Sequence, residues 1–239
     1  MIEKRIEALD KQLKEMADLA RAMLDKAVRT IGDMNLERIK EVTEEDEVVA
    51  NQMETWNLEE AVRVIALFQP MGEHLRRLVA IILHNRDLER IADHAENICK
   101  HCRYLAEHQL NGVPENIPRL TDLAQKQFDD AVEAYTSGDE ELAKRVIYND
   151  AELNELTKQT ISLVLKQMAT RCTNPDCDDA VTAETYWRLS MIARNLERIG
   201  DHATNIAESV LFVVESHLHL HHKKEIAEEI RALDEQSSK

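Results

Sequence analysis

Apolar residues return every three or four positions along almost the whole chain, so the pattern predicts helices nearly end to end. The interruptions carry the information. A first helix is expected over residues 2–31, stopping at Gly32-Asp33, and a second from the N-cap residue Asn35 to Phe68, broken by Gln69-Pro70-Met71-Gly72. A third covers 73–108 and ends at Asn111-Gly112, and residues 113–118, with Pro114 and Pro118, are the one stretch that reads as a linker. A fourth helix ends at Ser137-Gly138, and a fifth runs from 139 to about 170, where the loop between Cys172 and Cys177 breaks it. A sixth extends over 179–216, and a short polar helix is expected over 223–233.

Three long helices, a linker and three long helices form a duplication. Asp18-Leu19-Ala20 returns 104 residues later as Asp122-Leu123-Ala124, and Glu47 and Asn51 return 103 later as Asp150 and Asn154. The run from Leu88 to Ile98 returns 108 later, from Leu196 to Ile206, with nine of eleven positions identical. The expected organisation is therefore all-α. Two tandem, duplicated three-helix bundles occupy 1–112 and 119–216, with the linker 113–118 between them and a His-rich tail over 217–239.

Composition agrees with this reading and narrows the partners. Five Gly and four Pro in 239 residues are too few for a turn-rich β or doubly wound architecture. Thirty Lys+Arg against 46 Asp+Glu leave a net charge of −16, which repels nucleic acid and anionic lipid. The longest apolar runs, such as 79–83, fall far short of the ~20 residues that cross a bilayer, and the N-terminus has no signal-peptide core. A cytoplasmic protein is expected.

Part of the acid is organised. In the third helix Leu88, Ile91, Ala95, Ile98, Cys102 and Leu105 form one apolar stripe; in the sixth, Leu196, Ile199, Ala203, Ile206, Val210 and Val213 repeat it. Glu89, Asp93 and Asn97 stack one per turn roughly opposite that stripe, as do Glu197, Asp201 and Asn205. Glu47 and Asn51, with Glu54 a turn further, and Asp150 and Asn154 offer a matching edge on the second helix of each half. Carboxylates on successive turns repel unless a cation or donor lies between them, and hard cations suit such an oxygen-rich edge. The plainer alternative is a solvated face neutralised by Arg86, Arg90, Arg194 and Arg198, but such a face gives no reason for the same residues to recur in both halves.

The repeated Leu-Glu-Arg-Ile-(Ala/Gly)-Asp-x-Ala-x-Asn-Ile blocks resemble the signature of the PhoU family, and the chain from about Ile6 to Val214 fits that family's layout. The resemblance implies that Glu89, Asp93, Glu197 and Asp201, with Glu47 and Asp150, are metal ligands for Fe, Zn, Mn or Mg on the outer surface of the bundles. Asn51 and Asn154 stand where the family carries a second acid, as uncharged amide ligands, and Asn97 and Asn205 belong to the same candidate ligand set. It also implies a regulator of phosphate uptake and of the phosphate-starvation response, not an enzyme. Its partners would be the ATPase of the phosphate ABC transporter and a PhoR-type sensor kinase, contacted at the inner face of the membrane, and a homodimer is plausible.

Other readings compete. A catalytic di-metal bundle needs an inward Glu-x-x-His, which the sequence lacks, and a metal-carrying scaffold of another pathway would share the same shape. His94 and His202 are read as hydrogen-bonding residues rather than ligands, and the four cysteines as free thiols rather than a zinc or redox site. The histidines between 217 and 222 read as a solvated tail. Trp56, Leu67, Phe68 and Met71 are expected to pack in the core rather than to face a partner.

Overall fold

A computed structural model describes residues 1–108, 112–171, 179–215 and 230, and all regular structure among them is helical. Helix α1 (Ile2–Asp33) buries Ile6, Leu9, Leu13, Met16, Ala20, Met23 and Ala27, the residues of its apolar face. It stops at Met34, which takes the left-handed conformation (φ 50°) and returns its N–H to Thr30 O at 2.8 Å.

Asn35 then caps α2 (Leu36–Glu41), its Oδ1 accepting from Arg38 N at 2.9 Å. Replacing Asn35 with Ala leaves that N–H without its partner, and a loss of about 1 kcal/mol in urea unfolding is expected. An unchanged midpoint would mean that water replaces the cap without cost.

The expected second helix is not continuous. A π-turn (Val42–Asp46) separates α2 from α3 (Glu47–Phe68). The repeat spacing accounts for it. Leu36 and Glu140, the first residues of the second helices, are 104 apart, whereas Glu47 and Asp150 are 103 apart, so the first half holds one residue more in between. A π-turn houses one extra residue within a helix. Lys26 on α1 braces it by donating to Asp46 at 2.7 Å and by pairing with Glu41.

Helices α4 (Glu73–Glu107), α5 (Ile117–Ser137), α6 (Glu140–Arg171) and α7 (Asp179–Glu215) complete the chain. Helix α5 begins inside the expected linker, because Pro118 is compatible with a first helical turn. Gly138 (φ 68°) ends α5 in the left-handed conformation, and Asp139 Oδ1 accepts from Leu142 N at 3.0 Å to open α6. The helix expected over 223–233, the tail histidines, Cys172 and Cys177 lie outside the described residues, Ile230 excepted.

Helices α1, α3 and α4 pack together as one bundle, α5, α6 and α7 as another, and α4 lies along α7 to join them. The contacts between the halves are reciprocal. Arg21 pairs with Asp129 at 2.6 Å, while Gln125, the repeat partner of Arg21, donates to Asp25 at 2.7 Å. His94 meets Asn195 at 2.8 Å, while His202 meets Asp87, the repeat partner of Asn195, also at 2.8 Å. The two histidine rings stack with centroids 5.5 Å apart. Such swapped pairs are the mark of an approximate internal twofold.

Both expected apolar stripes are core, with Val213 half-buried at the end. The expectation for Trp56, Leu67, Phe68 and Met71 is corrected: all four are exposed, Leu67 at 71% and Met71 at 84%. Among the described residues, helix α3 packs on α1, on α4 and on the π-turn that precedes it, and no other element covers its remaining side.

Candidate metal centre

The acidic residues line the seams between helices, some of them half-exposed, as Asp93 and Asp201 are, and others enclosed. Helix α4 is covered by α1, α3 and α7, so the side opposite its main apolar stripe is also partly enclosed. Glu89 keeps only 12% of its side chain exposed, and Asp150 and Glu197 are buried. Helical periodicity gave the angle correctly, but it could not show which angles a neighbouring helix covers.

In the first half, α3 runs antiparallel to α4, held in register by Asn57 Nδ2 donating to Asn85 Oδ1 at 2.8 Å and Asn85 Nδ2 to Glu54 O at 2.8 Å. That register sets Glu54 near Glu89 and brings Glu47 to Asp93. Carboxylate oxygens of Glu47, Asp93 and Glu96 all lie within 4.8 Å of one another. Glu96 was not expected as part of the site; it lies three residues after Asp93, one helical turn on. Its absence from the second repeat, where Thr204 stands, is the signal that could have drawn attention to it.

Beside this group, burial first and then the neighbouring charges of Asp93 and Glu54 push the Glu89 carboxyl up to about 7, with Arg90 acting against them. Arg90 bridges the edge, 3.0 Å from Asp93 and 3.4 Å from Glu89, Lys100 reaches Glu96 at 2.7 Å, and Asn51 donates to Glu47 at 2.5 Å. The arginine neutralisation weighed from sequence is therefore present. The cationic partners are themselves largely exposed, Arg90 and Lys100 keeping about half of their side chains in solvent, whereas the carboxylates are more enclosed. Several carboxylates converging from two helices suit a hard cation in oxygen coordination, so this donor set fits a metal.

The second half is built differently. Asp150 Oδ1 accepts from Gln127 at 3.3 Å and its Oδ2 from Asn154 at 2.9 Å; Gln127 also donates to Thr204 Oγ1 at 3.1 Å and lies 3.4 Å from Gly200 O. Glu197 pairs with Arg194, and Asp201 with Arg198 at 3.1 Å. Asn205 donates to Asp87 across the twofold at 3.0 Å rather than joining its own edge, and Asn97 is half-buried. Among the described residues, only the first half gathers three acidic ligand atoms within 4.8 Å.

The histidine reading holds, and the cysteine reading is met at Cys99 and Cys102, the two that are described. His94 and His202 are hydrogen-bonded between the halves, as above. Cys99 and Cys102 are free and buried; burial, helped by Glu96, pushes the Cys99 thiol up to about 12, and burial raises that of Cys102 as well. Burial thus favours the neutral thiol at both positions.

The family model described as the PhoU domain matches the chain twice, over residues 13–102 and 117–210. A phosphate-specific transport system accessory protein PhoU homologue of Aquifex aeolicus is 31% identical over 226 residues, covering 94% of this chain and 98% of that one. The homologue of Thermotoga maritima is 28% identical over 214 residues, with 88% of each chain covered. The crystal structure of PhoU from Pseudomonas aeruginosa superposes with a TM-score of 0.81 at 27% identity, over 91% of this chain and 100% of that one. A second structure, the phosphate transport system regulatory protein PhoU of Streptococcus pneumoniae, shares the fold with a TM-score of 0.80 at 20% identity, over 91% of this chain and 99% of that one.

Proposed function

The chain belongs to the PhoU family, and from that premise we propose that it is an accessory regulator of phosphate transport. In this reading it restrains uptake and keeps the phosphate-starvation response off when phosphate is plentiful. It does so as a metal-binding adaptor in the cytoplasm, between the ATPase of the phosphate ABC transporter and a PhoR-type sensor kinase. The reading assigns it no catalysis.

The observation that carries the proposal is the double match: both halves answer to the family, and relatives named as phosphate-transport accessory proteins align over nearly the whole chain. The physical features are in keeping. None of the described helices is long and apolar enough to cross a membrane, so attachment to a transporter would run through protein contacts. A net charge of −16 suits docking onto basic patches, where charge governs partner choice and association rate. Where metal binds, Glu47, Asp93 and Glu96 would hold it beside Glu89, and the cation would relieve the repulsion on that edge.

A deletion strain tests the role. Alkaline phosphatase should become constitutive in high phosphate and return to repression on complementation. Repression that survives the deletion would remove the regulatory claim.

A further inference from the structure

The internal duplication provides a control within one chain, because each residue of one acidic edge can be compared with its repeat partner. Two positions differ inside the eleven-residue signature: Ala92 becomes Gly200, and Glu96 becomes Thr204. Both lie at the same place in the fold. Gln127 touches Gly200 O and Thr204 Oγ1 and donates to Asp150. In the first half, the repeat partner of Gln127 is Met23, fully buried and unable to donate.

These three exchanges act together. Gly200 has no Cβ, and one placed there would lie 2.9 Å from Gln127 Oε1 and 2.3 Å from Leu153 Cδ2, so glycine makes the room in which Gln127 sits. Thr204 supplies an acceptor for Gln127 where a carboxylate would have completed the acidic cluster. Asp150 is one methylene shorter than Glu47 and is 3% exposed, and each of its oxygens accepts from a neighbouring amide. Glu47 likewise accepts from an amide, that of Asn51, but it also meets Asp93 and Glu96 across the α3–α4 seam.

We infer that the second-half edge has exchanged metal binding for a hydrogen-bonded lock of Gln127, Asp150 and Thr204, so that metal bound through the acidic motif is confined to the first half. The donor set of the second edge does not fit a cation: Asp150 faces inward to amide donors, and the third carboxylate is gone. The confinement to one half rests on the metal-binding reading above; the lock does not.

Manganese is the suitable probe, since it favours carboxylate oxygen over the imidazoles of the tail. Purified full-length chain, stripped of metal, is titrated with Mn²⁺, and free Mn²⁺ is followed by its electron paramagnetic resonance signal. The isosteric pair Glu47→Gln/Asp93→Asn should weaken binding at least tenfold. The pair Glu197→Gln/Asp201→Asn should leave affinity and stoichiometry as in the parent. Equal losses from the two pairs, or a loss from the second pair alone, would overturn the confinement. If the parent binds no Mn²⁺, the metal-binding reading itself fails and takes the confinement with it. The lock is read separately: Gln127→Met, which imports the first-half residue, should lower Tm by several degrees, and an unchanged Tm would refute it.

Discussion

Replacing Gly200 with Ala should destabilise the protein by about 1–3 kcal/mol, although glycine-to-alanine exchange inside a helix ordinarily stabilises by up to ~1 kcal/mol. The reversal has a geometric cause. The new Cβ would stand 2.3 Å from Leu153 Cδ2, and Leu153 is a core residue 1% exposed, so its side chain cannot swing aside into solvent. Overpacking of this kind costs about 1–3 kcal/mol. Displacing Gln127, whose Oε1 is the next atom met, adds the loss of a donor to the buried Asp150. A double-mutant cycle separates the terms. Leu153→Ala alone should cost about 2–5 kcal/mol through the cavity it leaves. In that background Gly200→Ala should cost little or become favourable. Strict additivity of the two changes would show that the clash is relieved elsewhere.

The second large effect is expected with acid. His84 is 1% exposed, in a pocket against Tyr135, with Nε2 3.2 Å from Ile206 O and near Ser209 Oγ, while its Nδ1 finds no partner among the described residues. Burial pushes its pKa down to about 4, against a smaller opposing pull from Asp87 and from Ile206 O. Between pH 6.5 and 4 the unfolded chain takes up a proton that folded His84 refuses, so stability is fully present above about pH 6.5 and is lost as pH falls. A shift of this size corresponds to at most about 3 kcal/mol. His101, also pushed down to about 4 by burial and by Arg188, acts in the same direction. Glu89 acts in the opposite one, because its raised pKa makes stability fall as pH rises toward 7.

Comparison with His84→Leu cancels the groups that both proteins share. Leucine leaves Ser209 Oγ its bond to Ile206 O at 2.9 Å, and the repeat partner of His84 is Ile192, an apolar residue in an equally buried place. Urea unfolding at pH 7 and pH 5 should therefore show a smaller acid loss for the variant. Parallel losses would mean that His84 is protonated in the folded state already.

Much of this was legible in the chain. The stripes of α4 and α7 repeat every three or four residues and are core, and the stops at Met34, Gln69 and Gly138 adjoin or coincide with the turn residues that marked them. Even the π-turn left a trace, as the single residue by which the repeat spacing shortens between Leu36 and Glu47. Recurrence of Glu89/Asp93 as Glu197/Asp201 set the two acidic edges apart from an ordinary charged face. It also suggested that they are alike, which the fold does not support. Identical residues on α4 and α7 face different second helices, and where Gln127 bonds to Asp150 in one half, the repeat-equivalent position in the other is the apolar Met23.

The sequence by itself determined what depends on neighbours a few residues apart: helix positions, caps, apolar faces, the duplication and the family to which it belongs. Only the tertiary structure decided what depends on helices remote in the chain. It enclosed the acidic faces in seams, left Trp56 and Leu67 exposed, joined His94 and His202 across the twofold, and added Glu96 to Glu47 and Asp93. The physical reason is that a helical period fixes the direction of a side chain relative to its own axis, whereas burial and charge are fixed by whatever packs against that direction.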